Sequence, residues 1–204
     1  MKNAARAGGV FFVLFAVSMV VLGDLLGSFA DSDRAFVDHF ADGGNRAKDI
    51  AGSYLLVLAG LSMIRFAIAL AAVRADRRLP IFVTAFPAAG ATIVAGLSLL
   101  TVPLSISFGD LTDDPGLGTA QAVLPQFGAV ALAVGAMLPA AAFVIVLART
   151  PNLLPRWLSL ASYPVAVLLL VAILVAPMML WSIWIAAVSL TLWRQSSPIA
   201  QQQP

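Results

Sequence analysis

Apolar residues in this chain come in long unbroken runs, not in the alternation of a strand or the one-sided stripe of a surface helix. The first run extends from Val10 to Leu26, the second from Ile50 to Val73, the third from Leu79 to about Pro103 and the fourth from about Gln121 to Leu147. These lengths suit helices that cross roughly 30 Å of hydrocarbon at about 1.5 Å per residue. A fifth run, Trp157 to Trp193, carries no charge between Arg156 and Arg194. As one helix it would measure roughly 55 Å, too long for a single crossing, so it predicts a hairpin. Pro177 is the natural break, because proline suits the first turn of a new helix and interrupts the preceding one. The pattern therefore predicts an all-α, polytopic transmembrane bundle of six helices forming a single domain over 1–204. Its spans fall at about 8–27, 50–73, 79–103, 121–147, 157–175 and 178–194, with a disordered cytoplasmic tail over 195–204.

Composition agrees, since 61% of residues are hydrophobic and 11% charged, against roughly 25% charged in an ordinary soluble domain. Six spans use roughly 120 residues, and the remainder is spread over tails and connections too short for an appended catalytic or nucleic-acid-binding domain. The absence of cysteine excludes disulfides, thiol chemistry and thiolate metal sites. All ten acids are Asp, which weakens the case for an Asp/Glu catalytic pair. The basic start at Lys2 and Arg6 before the first run also resembles a secretory signal peptide, with Ser28-Phe29-Ala30 offering small residues for cleavage before Asp31. Retention as a span is the preferred reading, and either way Asp31 begins on the far side.

Charge placement orients the six-span bundle, because Lys and Arg favour the cytoplasm. Lys2, Arg6, Arg74, Arg77, Arg78, Arg149, Arg156 and Arg194 fall on one side. Arg34, Arg46 and Lys48 fall on the other, with Asp31, Asp33, Asp38, Asp42, Asp49, Asp110, Asp113 and Asp114. Both termini are predicted cytoplasmic, in a multi-pass protein of the cell (cytoplasmic) membrane. Trp157 and Trp193 are expected at the inner interface and Trp181 at the outer one, where indole rings prefer the headgroup level. Trp184 lies deeper and is expected to pack in the bundle or against lipid.

The first outer loop predicts a short amphipathic helix of its own. Ser32 caps it, Phe36, Val37 and Phe40 form its apolar stripe, and Asp33, Asp38 and Asp42 face water. Gly43-Gly44 ends it and Asn45 caps the second span. His39, the only histidine, stands beside Asp38 and Asp42, but one imidazole without Cys or Glu is a poor transition-metal set, and a solvated histidine is expected. Asp110, Asp113 and Asp114 before Pro115-Gly116 lack the spacing and terminal Glu of a calcium loop and read as an outside turn. No metal and no cofactor is predicted.

Arg65 is the most informative residue, since an arginine in a span costs roughly 2.5 to 3.5 kcal/mol at the bilayer centre. Counting from Ile50 and Arg74 places it about 5 Å to the cytoplasmic side of the midplane. Either its guanidinium snorkels to the inner headgroups, or it faces the bundle interior and binds an anionic group. Asp24 lies roughly 10 Å to the outer side, too far for a direct pair. Two layers follow: an outer one of Asp24, Tyr54, Thr101 and Gln126, and an inner one in which Arg65 has Ser62, Tyr163 and Ser189 as candidate ligand-binding neighbours.

Pro87 and Pro103 are expected to interrupt the third span, Pro125 and Pro139 the fourth and Pro164 the fifth, each freeing a carbonyl that must find a partner. Kinks that shape packing are preferred over a transport hinge. Ala88, Thr92 and Gly96, with Gly128, Ala131 and Gly135, predict close contact between spans three and four or a dimer seam. The chain has no phosphate-binding glycine loop, nucleophile elbow, HExxH or haem-ligating histidine pair, and no aromatic-interleaved basic patch for nucleic acid. No catalytic residue is nominated.

Gly44-Asn45-Arg46-Ala47-Lys48-Asp49-Ile50 before the second span, Leu154-Pro155-Arg156-Trp157-Leu158 before the fifth and Pro177-Met178 in the final hairpin resemble a family of small, uncharacterised six-helix integral membrane proteins of actinobacterial type, a domain of unknown function. The resemblance covers nearly the whole chain and implies the same six-helix fold, without indicating an activity. The expected role is non-enzymatic: envelope organisation or support of a partner, as a homodimer or with another membrane protein in the lipid bilayer. The alternative is a carrier or binding protein for an anionic lipid or small solute, anchored by Arg65 in the inner half. A continuous polar cavity reaching Arg65 would favour the carrier, and a closed apolar interior the structural role.

Overall fold

The computed structural model describes residues 1–23, 25, 38–108, 126–171 and 175–196. Among them the chain is all-helical. The long helices are α1 (Lys2–Val21), α2 (Gly43–Val73), α3 (Arg78–Phe108), α4 (Gln126–Ala148), α5 (Arg156–Leu170) and α6 (Val175–Gln195). Four stretches, Lys2–Val21, Gly43–Val73, Ala75–Thr101 and Gln126–Ala148, are long and apolar enough to cross a membrane. At 15 residues, α5 is about 22 Å long.

Helix bounds follow capping and turn chemistry as well as hydropathy, so they depart from the apolar runs. α1 starts at Lys2, ahead of the expected span. α2 begins at Gly43, and Asn45 is not its cap. Asp42 holds an extended backbone (φ −76°, ψ 120°) and accepts the Gly44 and Asn45 N–H groups on its carboxylate, the standard device for orphan donors of a first turn. Gly43-Gly44 thus opens α2 instead of ending the preceding helix. That preceding segment is described as helical only over 38–41; its proposed cap and most of its apolar stripe fall outside the described residues.

Pro87 and Pro103 do not interrupt α3, which runs continuously through both, as α5 does through Pro164. In α4 the helix adjusts beside its proline. Pro139 has no N–H for the Gly135 carbonyl, and the turns just before it widen into a π-helical stretch, Ala131–Ala136. Pro125 lies outside the described residues. Pro177 falls in the first turn of α6.

Each helix packs on its chain neighbour, and α6 returns to pack on α1, closing a ring. Contacts fix the directions. Facing Gly60 are Ala89 and Ile93, whereas facing Gly96 are Ser53 and Val57, so α2 and α3 are antiparallel. Gly128 faces Ala95 and Leu99 while Gly135 faces Ala91, which makes α3 and α4 antiparallel and supplies the close contact expected between them. In α1, the Ser18 hydroxyl donates to Gly52 of α2 (2.7 Å), and Gly8 lies against Phe66. Lys2, Arg6, Arg74, Arg77, Arg78, Arg149, Arg156 and Arg194 consequently gather at one end of the ring.

Large aromatic side chains fill the interior. Phe66 of α2 meets Phe143 of α4 with centroids 6.2 Å apart, and Phe143 meets Trp184 of α6 at 6.5 Å. Alternate helices are thereby joined across the centre. The Trp184 indole donates to Ser162 Oγ at 3.0 Å, and that hydroxyl donates to the Leu158 carbonyl at 2.7 Å. Trp181, expected at the outer interface, does not face outward. It is fully buried against Phe11 and Phe15 of α1, at centroid distances of 4.9 and 5.4 Å. Outward, every helix exposes large apolar side chains, such as Val13, Leu61, Val83, Leu138, Val167 and Leu190. Soluble monomers rarely carry so continuous an apolar exterior.

Candidate functional site

Ser62 and Arg65 stand one turn apart on α2 and line an open lateral groove of about 640 Å³. Its other wall is α1, where Asn3, Arg6 and Val10 follow helical spacing along one face. Arg65 is exposed into this groove and does not point into the ring interior. Arg6 lies with its guanidinium carbon 5.8 Å from the centroid of Trp193 of α6, close enough for a cation–π contact that leaves N–H edges available. The groove lining contains no carboxylate. Two permanent positive charges from two helices therefore face a common space.

The other candidates of the inner layer lie elsewhere. Ser189 is buried, and its hydroxyl donates to the Ile185 carbonyl at 2.8 Å. Tyr163 lines a separate, almost wholly apolar groove of about 730 Å³ between α3, α4 and α5. Of the outer layer, Asp24 lies outside the described residues. Tyr54 faces outward from α2, Gln126 is exposed at the start of α4, and Thr101 donates to the Ser98 carbonyl of its own helix at 2.6 Å.

A second polar cluster, not anticipated, closes the opposite end of α2. His39 is not solvated: its Nε2 lies 2.9 Å from Asp49 Oδ2, with the two side chains 11% and 2% exposed. Asn45 Nδ2 donates to the His39 carbonyl, and Arg46 Nη1 donates to the carbonyls of Phe40 and Ala41. Asp42, Asn45, Arg46 and Asp49 recur at helical spacing, so one face of the first two turns of α2 grips residues 39–41. Hydrogen bonds from the backbone of Asn45 and then Gly44 hold the Asp42 carboxyl below its ordinary range. The cluster is a structural clasp. Among the described residues no group of three or more His, Cys, Asp or Glu side chains is arranged to hold a metal ion. Asp110, Asp113 and Asp114 lie outside the described residues.

Comparison with known proteins finds no matching family model, no matching curated protein and no matching solved structure. Two relationships between residues escaped the sequence reading. Arg6 entered it only as a topology marker, although Asn3 and Arg6, one turn apart, already mark a polar patch at the start of α1. Asp49 was grouped with the loop charges, although its spacing from Asp42, Asn45 and Arg46 marks a helix face.

Proposed function

We propose that this chain is a six-span protein of the bacterial cell membrane, with both termini cytoplasmic, and that it has a non-enzymatic, structural or partner-supporting role. The observation that carries this reading is the filled centre, where Phe66, Phe143 and Trp184 link alternate helices by ring contacts. A carrier needs a polar path through its bundle, whereas here Arg65 opens sideways. The end of the ring rich in Lys and Arg supports a cytoplasmic placement, and the resemblance to six-helix membrane proteins of unknown function points the same way.

The chain lacks cysteine, so single cysteines can be introduced without background. Replacements at Arg149 and Arg194 should be shielded from an impermeant maleimide in intact cells, and one at Asp42 should react. The reverse pattern, or reaction at both ends, overturns the topology. Purified protein in proteoliposomes should pass no ions under an imposed potential, and photo-crosslinkers on the exposed helix faces should give one discrete protein adduct. Ion flux, or failure to crosslink from all six helices, overturns the structural role. A second reading, binding of an anionic group by Arg65, is favoured by its shared groove with Arg6.

A further inference from the structure

We infer that the groove between α1 and α2 binds the phosphate of an anionic membrane lipid, held jointly by Arg6 and Arg65. This deepens the second reading above and rests on the membrane placement proposed there.

Three observations converge. First, the two guanidiniums line one groove whose lining offers them no carboxylate, and Arg65 makes no ion pair among the described residues. An uncompensated arginine on a lipid-facing helix is costly unless an anion or water reaches it. Guanidinium is also suited to phosphate, because its planar fork can donate two parallel hydrogen bonds. Second, Arg6 is held against the Trp193 ring, which limits its freedom before a ligand arrives and so lowers the ordering cost of binding.

The third observation selects a lipid over a free anion. Beyond the groove, α1 continues outward as Val13, Val17 and Val20, and α2 as Leu61 and Leu58, all exposed. The groove itself begins with Asn3 and Arg6 at the basic end of the ring and reaches Val10 and Ser62 further in. Arg65 lies nine residues before Arg74, about 13 Å along the helix, in the half of the span from which an arginine side chain can extend toward the inner headgroups. A phosphate near the two arginines would leave its acyl chains along the apolar exteriors of α1 and α2. The surface is amphiphilic in the order and direction of an inner-leaflet phospholipid.

The test is native mass spectrometry of the full chain released from nanodiscs of phosphatidylglycerol and phosphatidylcholine in equal amounts. Wild type should retain one phosphatidylglycerol in preference to phosphatidylcholine. Arg65→Leu and Arg6→Gln should each lower that adduct about tenfold, the loss expected for one charge-assisted contact. Arg149→Gln, which removes an exposed charge from the same end of the ring but outside the groove, should leave it unchanged. Melting curves in detergent verify that each variant is folded, and Arg65→Gln serves if the leucine variant is not. Equal retention by folded Arg65 and Arg6 variants overturns the inference, as does an equal loss in Arg149→Gln, which would signal a diffuse charge effect. Displacement of the lipid by millimolar inorganic phosphate would assign the site to a free anion and likewise overturn it. The cysteine mapping above is independent: intact topology with unchanged lipid retention refutes this site alone.

Discussion

His39 Nε2 and Asp49 Oδ2 lie 2.9 Å apart, joining the helical turn over 38–41 to the second turn of α2 through a carboxylate that is almost completely buried. The contact explains a motif. In Gly44-Asn45-Arg46-Ala47-Lys48-Asp49-Ile50, three of the four polar residues, Asn45, Arg46 and Asp49, grip residues 39–41. Asn45 and Arg46 provide donors for carbonyls at the end of the short helical turn. His39→Ala should therefore destabilise the protein by about 1–3 kcal/mol, the cost of losing a hydrogen bond to a buried carboxylate. Asp49→Asn, which keeps the shape and an acceptor oxygen, should cost less. Chemical denaturation in detergent micelles checks the order, and an unaffected His39→Ala would show that the clasp contributes nothing to stability.

Asp42 predicts a dependence on acid. Its carboxylate accepts two backbone N–H groups, chiefly that of Asn45, and its pKa is lowered from the ordinary value of 3.8. The folded state therefore binds the proton less well than the unfolded state. The contribution is complete above about pH 4 and is lost as pH falls through the lower folded value. In melting curves between pH 6 and pH 2, Asp42→Asn should remove part of the acid-induced decline while retaining a capping side chain. Asp42→Ala should lower the melting temperature at pH 6 as well. An unchanged acid profile in Asp42→Asn would rule out this carboxylate as a source of the decline.

What the sequence made legible was the material each helix presents to its surroundings. The long apolar runs, the break near Pro177 and the small residues between α3 and α4 all depend on neighbours within one helix or on its general environment. What it concealed depends on register between helices. Trp181 was assigned to an interface by the general preference of indole, yet Phe11 and Phe15 of α1 enclose it, and only the antiparallel fit of α1 against α6 brings them together. Arg6 and Arg65 come to line one groove by the same logic in the α1–α2 pair. The prolines misled for a physical reason: packed neighbours hold α3 and α5 continuous through them, while α4 absorbs Pro139 by widening its preceding turns.

The contact between α2 and α3 should be more sensitive to one methyl group than any charge on the surface. A Cβ on Gly96 would lie 2.9 Å from the Ser53 carbonyl oxygen and 3.1 Å from the Val57 backbone nitrogen. Neither is the movable end of a side chain, so Gly96→Ala must push the helices apart, at about 1–3 kcal/mol. Gly9, which has no atom within 4 Å of such a Cβ, provides the control. Gly9→Ala should be neutral or stabilising by about 0.5–1 kcal/mol through helix propensity. Equal melting temperatures for the two variants would contradict the close approach of α2 and α3.

The two core tryptophans make a sharper comparison because their rings are similarly buried and only one indole N–H is satisfied. Trp184 donates to Ser162 Oγ at 3.0 Å, whereas Trp181 Nε1 is buried without a hydrogen-bond partner among the described residues. Replacement by Phe removes comparable ring volume at either site, but at Trp184 it also removes a hydrogen bond. Trp184→Phe should therefore cost about 1 kcal/mol more than Trp181→Phe. A double-mutant cycle of Trp184→Phe with Ser162→Ala isolates the bond from the lost volume and should return a coupling of about 1 kcal/mol. Ser162→Ala alone should be costly, because it strands the Trp184 N–H in the middle of the ring. If the coupling is zero and both tryptophan variants melt together, the α5–α6 hairpin is held by apolar packing alone, and Ser162 has no part in fixing the central aromatic chain.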